Sequence, residues 1–217
     1  EFKNISFSYD GKNKIIKDLN FKINKNDLIG IYGQSGSGKS TFVNLLTRLI
    51  KPSSGQIFID DIEVENLNDA RKYQNFFNIT SQDTFLLNGT IKDNIVFGSQ
   101  SKISTKTLED AIKFARLEEM LDELPNGIET DTGLTFKKLS SGQKQRITIA
   151  RSIYLDREIL IFDEATNALD EENEKIIIEN ICKLKLKKTI IIISHNLENL
   201  SKCDVIYSLE KGKLIKN

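Results

Sequence analysis

The segment GQSGSGKST at residues 33–41 constrains this chain most, because it fits the phosphate-binding pattern G-x-x-x-x-G-K-[ST]. The apolar run 28–32 before it is typical of a buried strand, and apolar residues recur at helical spacing from Phe42 to Ile50 after it. In such a strand-to-helix turn, glycine N–H groups can curl around an anion that also faces the positive end of the helix dipole. The sequence therefore predicts a loop that binds a triphosphate.

Two side chains of this loop carry the chemistry that a nucleoside triphosphate requires. Lys39 is expected to reach the β- and γ-phosphates, and the Ser40 hydroxyl to complete a Mg²⁺ shell of water and phosphate oxygens. The alternative is a glycine- and serine-rich loop that happens to contain Lys-Ser, which the flanking strand and helix argue against. The candidate phosphate-binding residues are Gly33, Gln34, Ser35, Gly36, Ser37, Gly38, Lys39, Ser40 and Thr41.

Composition narrows the class of protein. The 217 residues suffice for one α/β domain with room for an inserted subdomain. The 31 basic and 31 acidic side chains cancel, so nothing indicates a nucleic-acid or anionic-membrane surface. Cys182 and Cys203 form no disulfide framework or zinc pattern, which favours a reducing compartment. No apolar run reaches the length of a membrane span. Because the chain starts at Glu1 and its one methionine is Met120, we expect a piece of a longer protein.

The first 27 residues alternate apolar and polar side chains around a turn at Asp10-Gly11, which predicts antiparallel β structure. Tyr9 ends the first of these strands. From this residue alone, an exposed aromatic at a turn is the favoured interpretation. The alternative is a platform on which an adenine ring stacks.

Two carboxylates, Asp163 and Glu164, end the apolar strand pattern that starts at Ile159. Ligands of parallel sheets collect at the carboxyl ends of strands. Asp163 suits a carboxylate that contacts Mg²⁺ through water, and Glu164 could polarise the water that attacks the γ-phosphate. The alternative is that both acids cap the next helix. His195, the single histidine, follows the strand pattern 189–193 at the same expected edge, although a lone histidine is ordinarily packed or solvated.

Helical patterns occupy the middle of the chain. One covers residues 104–124, and another opens at Leu139-Ser140-Ser141-Gly142-Gln143, where small residues at a helix start form a natural anion site.

Together these motifs resemble the nucleotide-binding domain of ATP-binding cassette (ABC) transporters. Residues 33–41 resemble its Walker A loop, Gln82 resembles its Q-loop glutamine, and Leu139–Gln143 resembles its signature motif. Ile159–Asp163 resembles its Walker B motif, Glu164 its catalytic glutamate, and Ala168–Asp170 its D-loop. His195 resembles its switch histidine, and Tyr9 its adenine-stacking aromatic. The resemblance thus favours stacking for Tyr9. It implies an α/β fold: a P-loop NTPase core with a mixed/parallel sheet, an N-terminal antiparallel β subdomain and an inserted helical subdomain. The core and antiparallel part would span about 1–82 and 159–217, and the helical subdomain about 83–158.

The segments 88–98 and 164–170 are similar to those of exporters whose membrane and ATPase domains share one chain. The resemblance implies ATP hydrolysis that drives export of a substrate, on the cytoplasmic face of a bacterial inner membrane, with the transmembrane domain on the same full-length chain. It implies no nucleic-acid partner.

The family mechanism implies a head-to-tail dimer with a second copy, in which each ATP lies between the Walker motifs of one copy and the signature of the other. For catalysis this mechanism implies Glu164, His195 and Lys39. For Mg²⁺ it implies Ser40, Gln82 and Asp163. The residues that it implies for ATP binding are Tyr9, residues 33–41, Gln82, Ser140, Gly142 and Gln143.

Two departures from the family pattern stand out. Ser141 replaces the usual third glycine of the signature, where its side chain could crowd the phosphate or restrict the backbone. The segment 131–136 lacks the acid and second glycine typical of exporters, so coupling to the membrane domain would be built differently.

Two other functions compete with export. One is a soluble ABC-type nucleotide switch acting on ribosomes or DNA, against which the neutral charge and single cassette argue. The other is a nucleotide-binding scaffold without turnover, which the presence of both Glu164 and His195 disfavours.

Overall fold

A computed structural model describes residues 1–67, 69–99, 103–135 and 139–217 of the chain. The strands are β1 (Phe2–Phe7), β2 (Ile16–Phe21), β3 (Leu28–Tyr32), β4 (Ser54–Ile59), β5 (Ile62–Glu63), β6 (Phe77–Ser81), β7 (Ile159–Asp163), β8 (Thr189–Ser194), β9 (Val205–Glu210) and β10 (Lys213–Lys216). The helices are α1 (Lys39–Leu46), α2 (Ala70–Gln74), α3 (Ile91–Val96), α4 (Thr105–Phe114), α5 (Glu118–Asp122), α6 (Thr132–Thr135), α7 (Ser141–Leu155) and α8 (Glu171–Lys183). Two compact units contain them: unit 1 comprises Glu1–Phe77 and Lys185–Asn217, and unit 2 comprises Asn78–Leu184.

Unit 1 contains an antiparallel sheet with the strand order β2-β1-β4-β5. Strand β1 pairs antiparallel with both β2 and β4, and the apolar residues of β1 and β2 are buried. Between these two strands, the Asp10 carboxylate accepts hydrogen bonds from the backbone N–H groups of Lys12 and Asn13. The predicted antiparallel structure in the first 27 residues, with a turn at Asp10, is confirmed.

A mixed sheet forms the second layer of unit 1. Strand β3 runs parallel to β8 on one side and to β9 on the other, and β9 pairs antiparallel with β10. Every residue of β8 is buried, which explains its uninterrupted apolar sequence, since a strand covered on both faces needs no polar alternation. The predicted strands at 28–32 and 189–193 are confirmed.

Helix α1 is shorter than its periodicity predicts. It ends at Leu46, and Arg48 then adopts a left-handed backbone with φ of 56°. Leu49 is consequently 60% exposed. The prediction that Leu49 and Ile50 extend the apolar face of this helix is wrong.

Unit 2 is built around α7, against which α3 and α4 pack. Its apolar face buries Ile147, Ile149, Ala150 and Tyr154. Strand β7 neighbours β6, and its three central residues are buried. The predicted helical region 104–124 is confirmed as α4 and α5, which are separated at Arg116 by a left-handed backbone with φ of 54°.

Other predictions have a different standing. The predicted division of the chain into a core with an antiparallel part (1–82 and 159–217) and a helical subdomain (83–158) stays a prediction. Phe136, the last residue of the departing segment 131–136, lies outside the described residues. Within the described ranges, no helix combines the length and apolarity that crossing a membrane requires.

Candidate nucleotide-binding site

The phosphate loop joins β3 to α1 and has the backbone of an anion cradle. Gly36 and Gly38 adopt left-handed backbones, with φ of 78° and 105°. A Cβ atom on Gly33 would lie 2.6 Å from the Ser37 Oγ and 3.2 Å from the Leu209 carbonyl oxygen, so a side chain here would have to displace the Ser37 hydroxyl. The Ser37 Oγ is buried without a hydrogen-bond partner. A phosphate oxygen would satisfy this hydroxyl, and the loop therefore fits a phosphate group.

Lys39 places a positive charge directly on this loop. Its side chain is nearly buried, with 8% of the residue exposed, and its Nζ donates to the carbonyl oxygens of Gly33 (2.8 Å) and Gln34 (3.1 Å). Ser40 follows as an exposed residue in the first turn of α1, where the helix dipole favours an anion.

Tyr9 lies beside the first turn of α1. Its hydroxyl shares a hydrogen bond of 3.4 Å with the hydroxyl of Thr41, and the Phe7 ring meets its ring edge-on at 4.8 Å between centroids. The ring is nevertheless 63% exposed. Its position next to the phosphate loop leaves a fixed aromatic surface on which a base could stack.

A cavity of about 650 Å³ adjoins the phosphate loop, within the range typical of ligand pockets. Residues 33–37 form one wall and residues 209–212 another, and Lys14, Lys17 and Lys211 line it as well. With one carboxylate, Glu210, beside these three lysines, the lining carries a net positive charge that suits an anionic ligand. The lysines were missed at the sequence level because they lie far apart along the chain and fit no motif.

His195 leaves the sheet at the same edge as the phosphate loop. Strands β3 and β8 are parallel neighbours, and Tyr32 at the end of β3 pairs with Ser194 at the end of β8. The chain turns after His195, where the Asn196 N–H donates to the Ser194 Oγ at 2.9 Å, and the histidine is exposed. Unit 1 thus brings the phosphate loop close to Tyr9 and to the strand end that carries His195.

In unit 2, Asp163 ends β7 and Glu164 follows in a strained conformation. Both carboxylates are half-buried. Glu164 has a φ of 52°, a left-handed backbone that costs a residue with a Cβ about 1–2 kcal/mol. Its Oε2 accepts a hydrogen bond from the Asn167 Nδ2 at 2.8 Å, and its carbonyl oxygen accepts one from the Gln145 Nε2 at 3.3 Å. Such strain persists where the surrounding structure holds it, typically at functional sites.

The alternative that Asp163 and Glu164 cap the next helix is wrong. Helix α8 has Asp170 as its N-cap, and the Asp170 carboxylate accepts from the Asn173 N–H at 3.0 Å. Hydrogen bonds from the Asn173 side chain and backbone lower the pKa of Asp170. Neither Asp163 nor Glu164 therefore caps α8.

The predicted signature residues form the start of α7. The Ser140 Oγ accepts from the Gln143 N–H at 3.1 Å, and the Gln143 Oε1 accepts from the Ser140 N–H at 2.9 Å, which together make a capping box. Ser141 is exposed in the first turn. A Cβ on Gly142 would lie 2.8 Å from the Ala168 carbonyl oxygen. The structure thus places the signature against the loop that follows Glu164, while Gln82 is exposed just after β6.

Comparison with known proteins identifies the family. Residues 16–167 match the model of the ABC transporter family, and the chain belongs to that family. It is 36% identical over 219 residues to an ATP-dependent lipid A-core flippase of Pseudoalteromonas atlantica and 39% identical over 217 residues to one of Wigglesworthia glossinidia brevipalpis. All of this chain aligns, but it spans only 37% of the length of either flippase.

A solved structure supports the same assignment. The chain is 35% identical to a bacterial Atm1-family ABC exporter with ATP bound, with a TM-score of 0.91, over 98% of this chain and 37% of that one. The predicted family and α/β fold class are confirmed, and the chain aligns with the nucleotide-binding domain of that exporter. The roles of individual site residues stay predictions.

Proposed function

We propose that this chain binds and hydrolyses ATP to drive export of a substrate across a membrane. The phosphate loop carries the proposal: its backbone is shaped for an anion, Lys39 supplies a charge, and the Ser37 hydroxyl is a buried group in need of a partner. The similarity to an ATP-bound exporter over nearly the whole chain supports ATP as the ligand.

In this proposal ATP is held along unit 1. The adenine stacks on the exposed ring of Tyr9, and the phosphates receive the N–H groups of the loop and the Lys39 ammonium. The N-terminus of α1 adds its dipole. The residues assigned to phosphate are Gly33, Gln34, Ser35, Gly36, Ser37, Gly38, Lys39, Ser40 and Thr41, with Gln82 assigned near the γ-phosphate.

The residues assigned to Mg²⁺ are Ser40, Gln82 and Asp163. All three offer oxygen atoms, which are the ligands that Mg²⁺ prefers, and Mg²⁺ usually keeps several waters, so Asp163 is expected to act through water. When bound, the ion would neutralise negative charge that develops on the phosphates.

Three side chains have separate roles in the proposed hydrolysis. Glu164 orients the attacking water and takes its proton as the water oxygen bonds to the γ-phosphorus and the bond to the bridging oxygen breaks. Asn167, which donates to the Glu164 carboxylate at 2.8 Å, helps to fix its direction. His195 contacts the γ-phosphate, and Lys39 spreads its charge.

We also propose that a second copy completes each site. In a head-to-tail dimer, Ser140, Gly142 and Gln143 would contact the ATP held by the partner, and their place at the N-terminus of the 15-residue helix α7 suits an anion. The exporter relatives support a transmembrane domain on the same full-length chain and a place on the cytoplasmic face of a bacterial inner membrane. No nucleic acid is expected as a partner.

A phosphate-release assay with Mg²⁺ and ATP tests the function. Glu164→Gln removes the proton acceptor but keeps the shape, and is expected to lower turnover about 100-fold or more. The matched control is Glu158→Gln, an exposed carboxylate directly before β7, at the end of the strand remote from Glu164.

The control should retain turnover within about twofold. Glu164→Gln should still form a dimer with ATP in size-exclusion chromatography, because its binding loop is intact. Undiminished turnover in Glu164→Gln would contradict the role of Glu164, and absence of phosphate release in the unmodified protein would favour a scaffold without turnover.

A further inference from the structure

Gln145 bridges both ends of the loop that carries Glu164. It lies in the second turn of α7 and is fully buried, with 0% exposure. Its Nε2 donates to the Glu164 carbonyl oxygen at 3.3 Å, and its Oε1 accepts from the Ala168 N–H at 2.9 Å. One planar amide therefore fixes both ends of the five-residue segment from Glu164 to Ala168. Only one orientation of the amide satisfies both backbone groups, because one is an acceptor and the other a donor.

The segment that Gln145 holds is the one with the strained residue. Glu164 has a φ of 52°, and a left-handed backbone of this kind persists only where neighbouring contacts enforce it. Within the segment, the Asn167 N–H donates to the Glu164 carbonyl at 3.4 Å, and just after it the Leu169 N–H donates back to the Thr166 carbonyl at 3.0 Å. Gln145 adds a restraint from outside the segment, from a rigid helix. Loss of this restraint should let the Glu164 backbone relax.

A second contact joins the same two elements. Gly142 lies three residues before Gln145 and so on the same face of α7. A Cβ on Gly142 would lie 2.8 Å from the Ala168 carbonyl oxygen, so the helix and the segment meet there in close contact. The start of α7 and the segment after β7 are therefore tied at two points, one steric and one through hydrogen bonds.

We propose that Gln145 is a positioning residue for ATP hydrolysis, whose amide holds the Glu164 backbone in place from helix α7. This inference rests on the proposed function, in which Glu164 orients the attacking water. Because Gln145 is fully buried and its amide is bonded to the backbone of Glu164 and Ala168, it acts through the backbone of Glu164. Its loss should therefore lower the rate of hydrolysis and leave ATP binding unchanged.

The first test is Gln145→Met, which removes both hydrogen bonds at similar volume. We expect kcat for Mg²⁺-ATP to fall about tenfold, the effect of losing two neutral hydrogen bonds. The KM for ATP should change by less than about twofold, because the phosphate loop is untouched. The matched control is Ser152→Ala on the same helix, since Ser152 is also buried but its Oγ has no hydrogen-bond partner. This control should keep the kcat of the unmodified protein.

The second test uses pH. Gln145→Glu keeps an acceptor for the Ala168 N–H, but an ionised carboxylate would face the Glu164 carbonyl oxygen without a donor. Burial raises the pKa of a carboxyl group, and in its protonated form the new side chain could donate to that carbonyl. The ratio of the variant kcat to the unmodified kcat should rise as the pH falls. The corresponding ratio for Gln145→Met should stay flat.

A double variant separates positioning from general damage. In a Glu164→Gln background, Gln145→Met should lower the residual rate no further, because the group that it positions is already gone. The proposal is overturned if Gln145→Met keeps full kcat, if it raises KM without lowering kcat, or if it lowers the residual rate of Glu164→Gln tenfold. Full activity of Glu164→Gln alone would instead contradict the role of Glu164, whereas absence of phosphate release from the unmodified protein would refute the proposed function.

Discussion

Asn94 is a buried polar hub of unit 2, and its truncation gives a sharp prediction for stability. The residue is 0% exposed. Its Oδ1 accepts from the Leu87 N–H at 2.8 Å and from the Arg151 Nη2 at 3.1 Å. Its Nδ2 donates to the carbonyls of Leu87 and Thr90, both at 3.0 Å, and to the Thr132 Oγ1 at 3.3 Å. We expect Asn94→Ala to lower the free energy of unfolding by about 3 kcal/mol.

The magnitude follows from which groups lose their last partner. The Leu87 carbonyl keeps a donor in the Thr132 hydroxyl at 2.7 Å, and the Thr90 carbonyl keeps the backbone N–H of residue 94 at 3.1 Å. The Leu87 N–H is left without its side-chain acceptor, which costs about 1–3 kcal/mol.

The guanidinium of Arg151 adds a smaller cost. Its burial lowers its pKa, and it loses one hydrogen bond of about 1 kcal/mol while it keeps those to the carbonyls of Asn94 and Phe85. Together with the Leu87 N–H this gives a total of about 3 kcal/mol.

Urea unfolding followed by far-ultraviolet circular dichroism measures this effect, since the chain has no tryptophan to report by fluorescence. With an m-value of about 2–3 kcal/mol per molar urea, the midpoint should fall by about 1 M. The matched control is Asn180→Ala, because Asn180 is half-buried and donates one hydrogen bond, to the Phe114 carbonyl at 3.3 Å. The control should cost about 1 kcal/mol. Equal midpoints for the two variants would refute the reasoning.

Two further predictions concern packing and charge. Gly142→Ala should lower the free energy of unfolding by about 1–2 kcal/mol, because overlap of the new Cβ with the Ala168 carbonyl oxygen, at 2.8 Å, outweighs the helix propensity of alanine. Urea unfolding checks this with Ser141→Ala as the control variant, and equal midpoints for the two variants would contradict it. Asp204 accepts from the Lys185 Nζ at 2.7 Å and from the first backbone N–H of β3 at 3.0 Å, and these bonds lower its pKa. A carboxylate with a lowered pKa stabilises the fold above its unfolded pKa, about 3.9, and loses that contribution as the pH falls through its folded pKa. Asp204→Asn should therefore lower the free energy of unfolding by up to about 1 kcal/mol at pH 7 and by progressively less in acid. A loss of unfolding free energy that stays constant down to about pH 3 would argue against this.

The sequence predicted those parts of the fold whose physical cause is local. The run 28–32 matches β3 because a strand buried on both faces is apolar throughout. The start of α7 was equally visible, because Ser140 and Gln143 stand three residues apart in the order of a capping box. In both cases the residues that signal the element also build it.

What escaped prediction depends on contacts between distant residues. Gln145 and Asn94 are amides that look the same in a sequence whether they lie in solvent or in a core. The left-handed break at Arg48 carries no glycine, asparagine or proline to mark it, so the apolar pattern of α1 runs past the real end of the helix. The strained backbone of Glu164 is likewise invisible until the segment that enforces it is seen.

The structure also decides between two consequences of the unusual signature residue Ser141. A side chain there could restrict the backbone or crowd a ligand, but Ser141 begins the regular helix α7 and is exposed. The residue in this segment that has no room for a side chain is Gly142, against the Ala168 carbonyl, and there the glycine is present. Serine at position 141 therefore leaves the packing of its own chain intact. In the proposed dimer, the ATP of the second copy lies next to the start of α7. Ser141 would therefore alter the affinity for that ATP rather than the stability of the fold.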